Sequence, residues 1–132
     1  MLQRALRGES KKEILLSEPS NDFSQESIRL LAEGHYCTHT AEDISGTGYV
    51  VRSLEAALWS FWTTESFEEA ILTAANLGDD ADTTAAVCGQ LAGAHYGALS
   101  LPPLWMETLV QSVLISNLAD QLMHSSIASG NF

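Results

Sequence analysis

Glycines stand at positions 89, 93 and 97, four residues apart, in a stretch that otherwise reads as helix. Each interior glycine weakens a helix by about 0.8–1.0 kcal/mol relative to alanine. Three on one face are expected where another backbone must come very close. A membrane-dimerisation helix is excluded, because the segment is too short and contains Gln90 and His95. The spacing predicts a helix over residues 83–97 held by tight packing. The next apolar stretch, residues 105–122, is long enough to cover its glycine face.

Helical periods recur along the chain, whereas few segments alternate as a half-buried strand does. Val50, Val51, Leu54, Ala57, Leu58, Phe61 and Trp62 form a wide apolar stripe, with Arg52, Ser53, Glu55 and Ser60 elsewhere around the turn. Ser66-Phe67-Glu68-Glu69 reads as a capping box opening a short helix. Two further helices are expected over 2–16 and 24–33, joined by a turn at Pro19, Asn21 and Asp22. Residues 34–48 read as loop. Pro102 and Pro103 precede a long helix marked by Trp105, Leu109, Val113, Leu114, Leu118 and Leu122, and residues 125–132 read as a frayed tail. The expectation is one all-α domain over residues 1–132, a length that suits a single core.

The formal charge is −11, which argues against a nucleic-acid-binding surface. Its distribution is more informative. All six basic residues (Arg4, Arg7, Lys11, Lys12, Arg29, Arg52) precede position 53, and the rest of the chain carries nine acids with no Lys or Arg. Those carboxylates are either solvated or neutralised by a cation. No apolar run is long enough to span a membrane, and the charged start leads into no apolar signal segment. Cys37 and Cys88 make no disulfide framework, and a cytoplasmic location is expected.

Gly78-Asp79-Asp80-Ala81-Asp82-Thr83-Thr84 concentrates carboxylates and hydroxyls just ahead of the glycine-spaced helix. Aspartate and threonine are favoured helix caps, and a helix N-terminus tolerates acids. Oxygen donors of this kind also suit a hard divalent cation. A cap accounts for one residue and leaves the other acids open to either reading. The closing glutamate and glycine of an EF-hand are missing.

The run Asn76-Leu77-Gly78-Asp79-Asp80-Ala81-Asp82-Thr83-Thr84-Ala85-Ala86-Val87-Cys88-Gly89-Gln90-Leu91-Ala92-Gly93-Ala94 closely resembles the C-terminal signature of the ADP-ribosylglycohydrolases, which include the dinitrogenase reductase-activating glycohydrolases. Gly48-Tyr49-Val50-Val51, Leu54 to Trp59, Ser66 to Ala70, and Pro103 with Trp105 resemble flanking parts of the same family. The resemblance implies an all-α fold with a binuclear Mg²⁺ or Mn²⁺ centre, for which Asp80, Asp82 and Thr83 match the ligand motif. Asp79 stands where many members have glycine. The implied reaction is hydrolysis of the glycosidic bond between ADP-ribose and an acceptor, on an ADP-ribosylated protein or a small ADP-ribose conjugate. Gly46, Gly48 and Tyr49 resemble a loop near the substrate ribose; a helix-entry turn explains the glycines equally well.

Members of the family are longer, with an early glycine-aspartate segment and a threonine-aspartate-aspartate cluster that these 132 residues lack. The chain resembles a C-terminal part with half the metal site, and no catalytic residue is assigned. A homodimer, or a separate chain supplying the N-terminal half, is the expected partner. The alternative is a catalytically inert association module. Other residues read as structural. His35, Cys37 and His39 lack a fourth ligand for zinc. Cys88, Trp59 and Trp62 suit the core, and His95 near a helix C-terminus suits a protonated imidazole.

Overall fold

Helices start where side chains can take up the amides that a first turn leaves free. The computed structural model, which describes residues 1–16 and 23–128, shows this most fully at Ser10. Its hydroxyl accepts from the Glu13 amide at 3.3 Å, while the Glu13 carboxylate accepts from the Ser10 amide at 2.8 Å. This box opens α2 (Lys11–Leu15), and Gly8, at φ +73°, turns the chain out of α1 (Leu2–Leu6). The single helix expected over 2–16 is therefore two. The turn expected at Pro19, Asn21 and Asp22 lies outside the described residues.

α3 (Glu26–Ala32) ends at Gly34, which is left-handed (φ +76°) and packed on the Leu16 side chain, so that a Cβ there would collide. A 3₁₀ turn, His35–Thr38, interrupts the stretch read as loop. α4 (Val50–Thr63), α5 (Phe67–Asn76) and α6 (Ala81–Tyr96) follow. Ser66 caps α5 through the Glu69 amide at 3.2 Å, but Glu69 reaches back to the Glu65 amide at 3.0 Å rather than to that of Ser66. The long helix expected after the prolines is broken. α7 (Pro103–Thr108) stops at extended Leu109, Gln111 adopts φ +61°, and α8 (Ser112–Ala128) begins afresh. α8 continues through the positions where fraying was expected to start, and residues 129–132 lie outside the described ones. The described residues contain no strand, and the fold is all-α.

Contacts divide the chain into two compact units, one of residues Met1–Ser100 and one from Leu101 onward. In the first, α6 packs on α4, α5 and α1. The glycine face of α6 meets side chains of α5. A Cβ on Gly89 would lie 3.2 Å from Ile71 Cδ1, and one on Gly93 would lie 3.8 Å from Phe67 Cε2. The close approach is thus of side chain to backbone. Gly97 ends the helix at φ +79° with open space around it.

α4 is buried nearly all round. Ser53 and Ser60, placed by periodicity off the apolar stripe, are 5% and 0% exposed. Ser60 satisfies its hydroxyl on the Ala56 carbonyl at 2.8 Å, and Thr63 and Thr64 fold back in the same way on Trp59 and Ser60 at 2.9 and 2.6 Å. Ser53 instead meets Thr84 Oγ1 at 3.3 Å. Trp59 is in the core as expected, and its Nε1 donates to the His39 carbonyl at 3.0 Å.

At the C-terminal ends of α4 and α6, the ammonium of Lys11 donates to the Thr64 carbonyl, which also accepts from the Tyr96 hydroxyl at 3.2 Å. Lys11 Nζ lies 5.0 Å from the Phe61 ring centroid and 5.6 Å from that of Tyr96. His95 stands edge-on to both rings, at 5.3 and 4.8 Å. Desolvation, with Lys11 adding to it, lowers the His95 pKa. The protonated imidazole expected there is therefore disfavoured, because the cation already at this helix end is Lys11.

Candidate metal centre

Two consecutive left-handed residues, Gly78 (φ +77°) and Asp79 (φ +52°), turn the chain into α6. Aspartate tolerates this conformation better than most residues, and glycine tolerates it freely. Asp80 then occupies the N-cap. Its amide donates to the Gly46 carbonyl and its carbonyl accepts from the Thr84 amide, both at 3.0 Å. Its side chain makes no capping hydrogen bond. The capping reading thus fails for Asp80, whose ψ of 56° departs from the extended geometry usual at an N-cap.

The freed carboxylate lines a cavity of about 330 Å³ with Thr83, Gly48, Ser53, Val50, Leu54 and Val87. Asp80, Thr83 and Val87 share one side of α6 at spacings of three and four, and Val50, Ser53 and Leu54 do the same on α4. This periodicity is the sequence signal that would have found the residues missed above: Ser53 and the three apolar walls. Asp82 sits exposed in the first turn of α6 and is not among the lining residues.

The loop glycines have separate reasons. A Cβ on Gly46 would come within 3.2 Å of the Gly78 carbonyl and 3.4 Å of Thr84 Oγ1, so this glycine lets two loops touch. A Cβ on Gly48 would stand 3.7 Å from Asp80 Oδ2, at the cavity itself. Tyr49, 59% exposed at the start of α4, lines a different cavity of about 210 Å³ beside Arg52 and Leu30. The structure therefore brings Gly48, Asp80 and Thr83 together and leaves Asp82 and Tyr49 apart from that cavity.

Asp80 and Thr83 are hard oxygen donors, which matches Mg²⁺ or Mn²⁺ in type. In number they fall short of the six or so such ions take, and the described residues hold no group of three His, Cys, Asp or Glu placed around one ion. The residues present fit one side of a coordination shell. Of the histidines near Cys37, His35 Nε2 lies 3.3 Å from a Glu33 carboxylate oxygen, whereas His39 Nδ1, 3.7 Å from one of Glu55, is buried without a hydrogen-bond partner among the described residues.

Known proteins are similar to this chain in sequence and in fold. An ADP-ribosylarginine hydrolase Tri1 of Serratia proteamaculans (strain 568) is 50% identical over 97 residues, covering 74% of this chain and 26% of its own. One of the same name from Pseudomonas putida (strain GB-1) is 44% identical over 121 residues, 92% of this chain and 32% of that protein. A solved structure described as an ADP-ribosylglycohydrolase-related protein complex superposes with a TM-score of 0.80 at 39% identity, covering 89% of this chain and 41% of its own. The chain thus spans a quarter to a third of the length of these two hydrolases. With the ADP-ribosylglycohydrolase family model matching residues 1–131, the chain belongs to the ADP-ribosylglycohydrolase family.

Proposed function

We propose that this chain forms the Asp80–Thr83 side of a divalent-metal site in an enzyme that hydrolyses the glycosidic bond between ADP-ribose and an arginine side chain of a modified protein. The observation that carries the reading is the Asp80 carboxylate, which caps no helix amide and opens onto a cavity with Thr83. The names of the two Tri1 relatives favour arginine as the acceptor. Bound Mg²⁺ or Mn²⁺ would act as a template and charge stabiliser for ribose hydroxyls and an attacking water. Asp80 supplies the negative charge that holds the cation, Asp82 adds to it from the same turn, and Thr83 offers a neutral oxygen. Gly48 leaves room for a ligand against Asp80, and Val50, Leu54 and Val87 limit water on the other walls. The remaining donors and the general base come from residues outside these 132.

Titration calorimetry with Mg²⁺ and Mn²⁺ tests the site. Asp80→Asn is expected to abolish binding, and Asp82→Asn to weaken it less, because Asp82 stands off the cavity. Equal binding by wild type and both variants would remove the assignment.

A second reading, an association module, draws on unit two. Val113, Leu114, Ile115, Leu118 and Leu122 of α8 are all at least half exposed. A symmetric dimer or a separate family chain would cover such a face. Turnover of an ADP-ribosylated arginine peptide by the chain alone would exclude an inert module. A monomeric mass in light scattering would exclude the dimer. The two free cysteines suit a reducing, cytoplasmic setting, and no described helix is long and apolar enough to cross a membrane.

A further inference from the structure

Four hydroxyls belong to α4 and its C-cap, and three of them are satisfied on the helix itself: Ser60, Thr63 and Thr64 each donate to the carbonyl four residues back. Ser53 does not. It is 5% exposed, and among the described residues its hydroxyl meets only that of Thr84, at the long distance of 3.3 Å. Two hydroxyls carry two protons, and the contact between them uses one. A buried hydroxyl with unused capacity costs free energy unless something else takes it up. Thr84 is fully buried, and a Cβ on Gly46 would stand 3.4 Å from its hydroxyl oxygen. Ser53 lines the cavity that Asp80 and Thr83 share.

We infer that Ser53 is a ligand-binding residue, and that its hydroxyl exchanges a hydrogen bond with a hydroxyl of the ribose bonded to the acceptor. The inference rests on the functional reading above and extends it to a residue on α4. The chemistry of the walls selects a sugar. Asp80 accepts hydrogen bonds only, whereas Thr83 and Ser53 both donate and accept, which suits a partner that is itself a hydroxyl. Val50, Leu54 and Val87 offer apolar surface to the C–H face of a sugar ring. The Thr84 contact orients the Ser53 hydroxyl, so the residue is held in place before a ligand arrives.

Calorimetry on the 132-residue chain in Mg²⁺, with ADP-ribose and with ADP as ligands, tests this. Ser53→Ala is expected to weaken ADP-ribose binding by about five- to tenfold, the size of one hydrogen bond, and to leave ADP binding and Mg²⁺ affinity unchanged. Ser60→Ala, which removes an equally buried hydroxyl satisfied within the helix, is expected to lower the unfolding midpoint without altering ADP-ribose affinity. A purely structural Ser53 would behave as Ser60 does, and that result would overturn the assignment while leaving the functional reading intact. Equal weakening of ADP and ADP-ribose would overturn the contact with the terminal ribose. Wild-type chain that binds no ADP-ribose would overturn the functional reading and the Ser53 assignment with it.

Discussion

The two ends of α6 are built to opposite rules. At the C-terminal end, Lys11 and Tyr96 both donate to the Thr64 carbonyl and Phe61 and His95 pack around them, with His95 Nδ1 buried without a hydrogen-bond partner among the described residues. At the N-terminal end, about 24 Å away by helix rise, polar groups stand beside a cavity. Asp80 caps nothing, Ser53 pairs with the Thr84 hydroxyl at 3.3 Å, and Asp80 and Ser53 line a cavity. One end closes a helix terminus and holds α2, α4 and α6 together. The other leaves the Asp80 carboxylate uncapped beside a cavity, the arrangement from which the metal site is proposed. The difference lies in what surrounds the polar atom left over: at the closed end His95 Nδ1 is buried among aromatic rings, whereas at the open end the Asp80 carboxylate lines a cavity.

The sharpest way to break this contrast is to remove Lys11. Lys11→Met keeps the aliphatic stem, but it strips the Thr64 carbonyl of its charged donor and both rings of their cation. Hydrogen bonds to charged groups and cation–π contacts together predict a loss of about 2–3 kcal/mol, read as a lower urea midpoint. Mg²⁺ affinity is expected to hold, since the two ends lie beyond a Debye length at physiological salt. A variant that lost metal binding and kept its stability would invert the assignment of the two ends.

A smaller effect at the same end comes from pH. Desolvation, Lys11 and the weaker opposing influence of Glu65 leave the His95 pKa below its ordinary value of 6.5. The unfolded chain therefore takes up a proton at His95 before the folded one does. The unfolding midpoint should fall as pH drops from about 6.5 toward the lowered folded value and level off beneath it. In Lys11→Met the fall should shrink, because one cause of the depression is gone. A further loss belongs to the acid range. Glu13 is held down by hydrogen bonds from Ser10, and Asp43 by hydrogen bonds from Thr40. Their contributions are present above the ordinary carboxylate pKa and disappear as pH falls through the lowered ones.

These two ends were not equally legible in the sequence. The open end announces itself, because Asp79, Asp80, Asp82, Thr83 and Thr84 fall within six consecutive positions that resemble a family signature. The closed end joins residues far apart in the chain, Lys11 with Thr64 and Tyr96, and no local pattern links them. The same holds within α4: its period was plain, but the burial of Ser53 and Ser60 depends on neighbours that surround the helix on nearly every side. Element boundaries failed where one residue decides. Gly8 with the Ser10 cap splits the first helix, and Gln111 at φ +61° splits the last. The metal reading was legible in donor type, whereas the separation of Asp82 from the cavity needed the helix phase at Asp80.

Between the two ends lies the glycine face, where the expected effect is about 1 kcal/mol. Gly93→Ala should stabilise by about 0.8–1.0 kcal/mol, because a Cβ there meets the Phe67 ring at an ordinary 3.8 Å. Gly89→Ala should gain less, since its Cβ would press on Ile71 Cδ1 at 3.2 Å and that side chain must yield. Gly93→Leu should reverse the sign, as the added branch collides with Phe67 and overpacking costs typically about 1–3 kcal/mol. Denaturant midpoints for the three variants rank them. Stabilisation by Gly93→Leu would mean that α5 swings away from this face in solution.

The smallest expected change in stability is at Asp80 itself. Asp80→Asn keeps the shape of the side chain, and no capping bond is lost because none is made. The amide and carbonyl of residue 80 hold the Gly46 loop and the Thr84 amide whatever the side chain is. The variant also relieves some repulsion among Asp79, Asp80 and Asp82, where no Lys or Arg follows Arg52 in the sequence to offset it. The unfolding midpoint without metal should therefore move by no more than about 0.5 kcal/mol, and upward. Adding Mg²⁺ should then raise the wild-type midpoint and leave that of Asp80→Asn where it was, because only a ligand bound to the folded state shifts the equilibrium. If Asp80→Asn instead destabilised the metal-free chain by as much as Lys11→Met, both ends of α6 would be structural, and the unspent carboxylate would need another explanation.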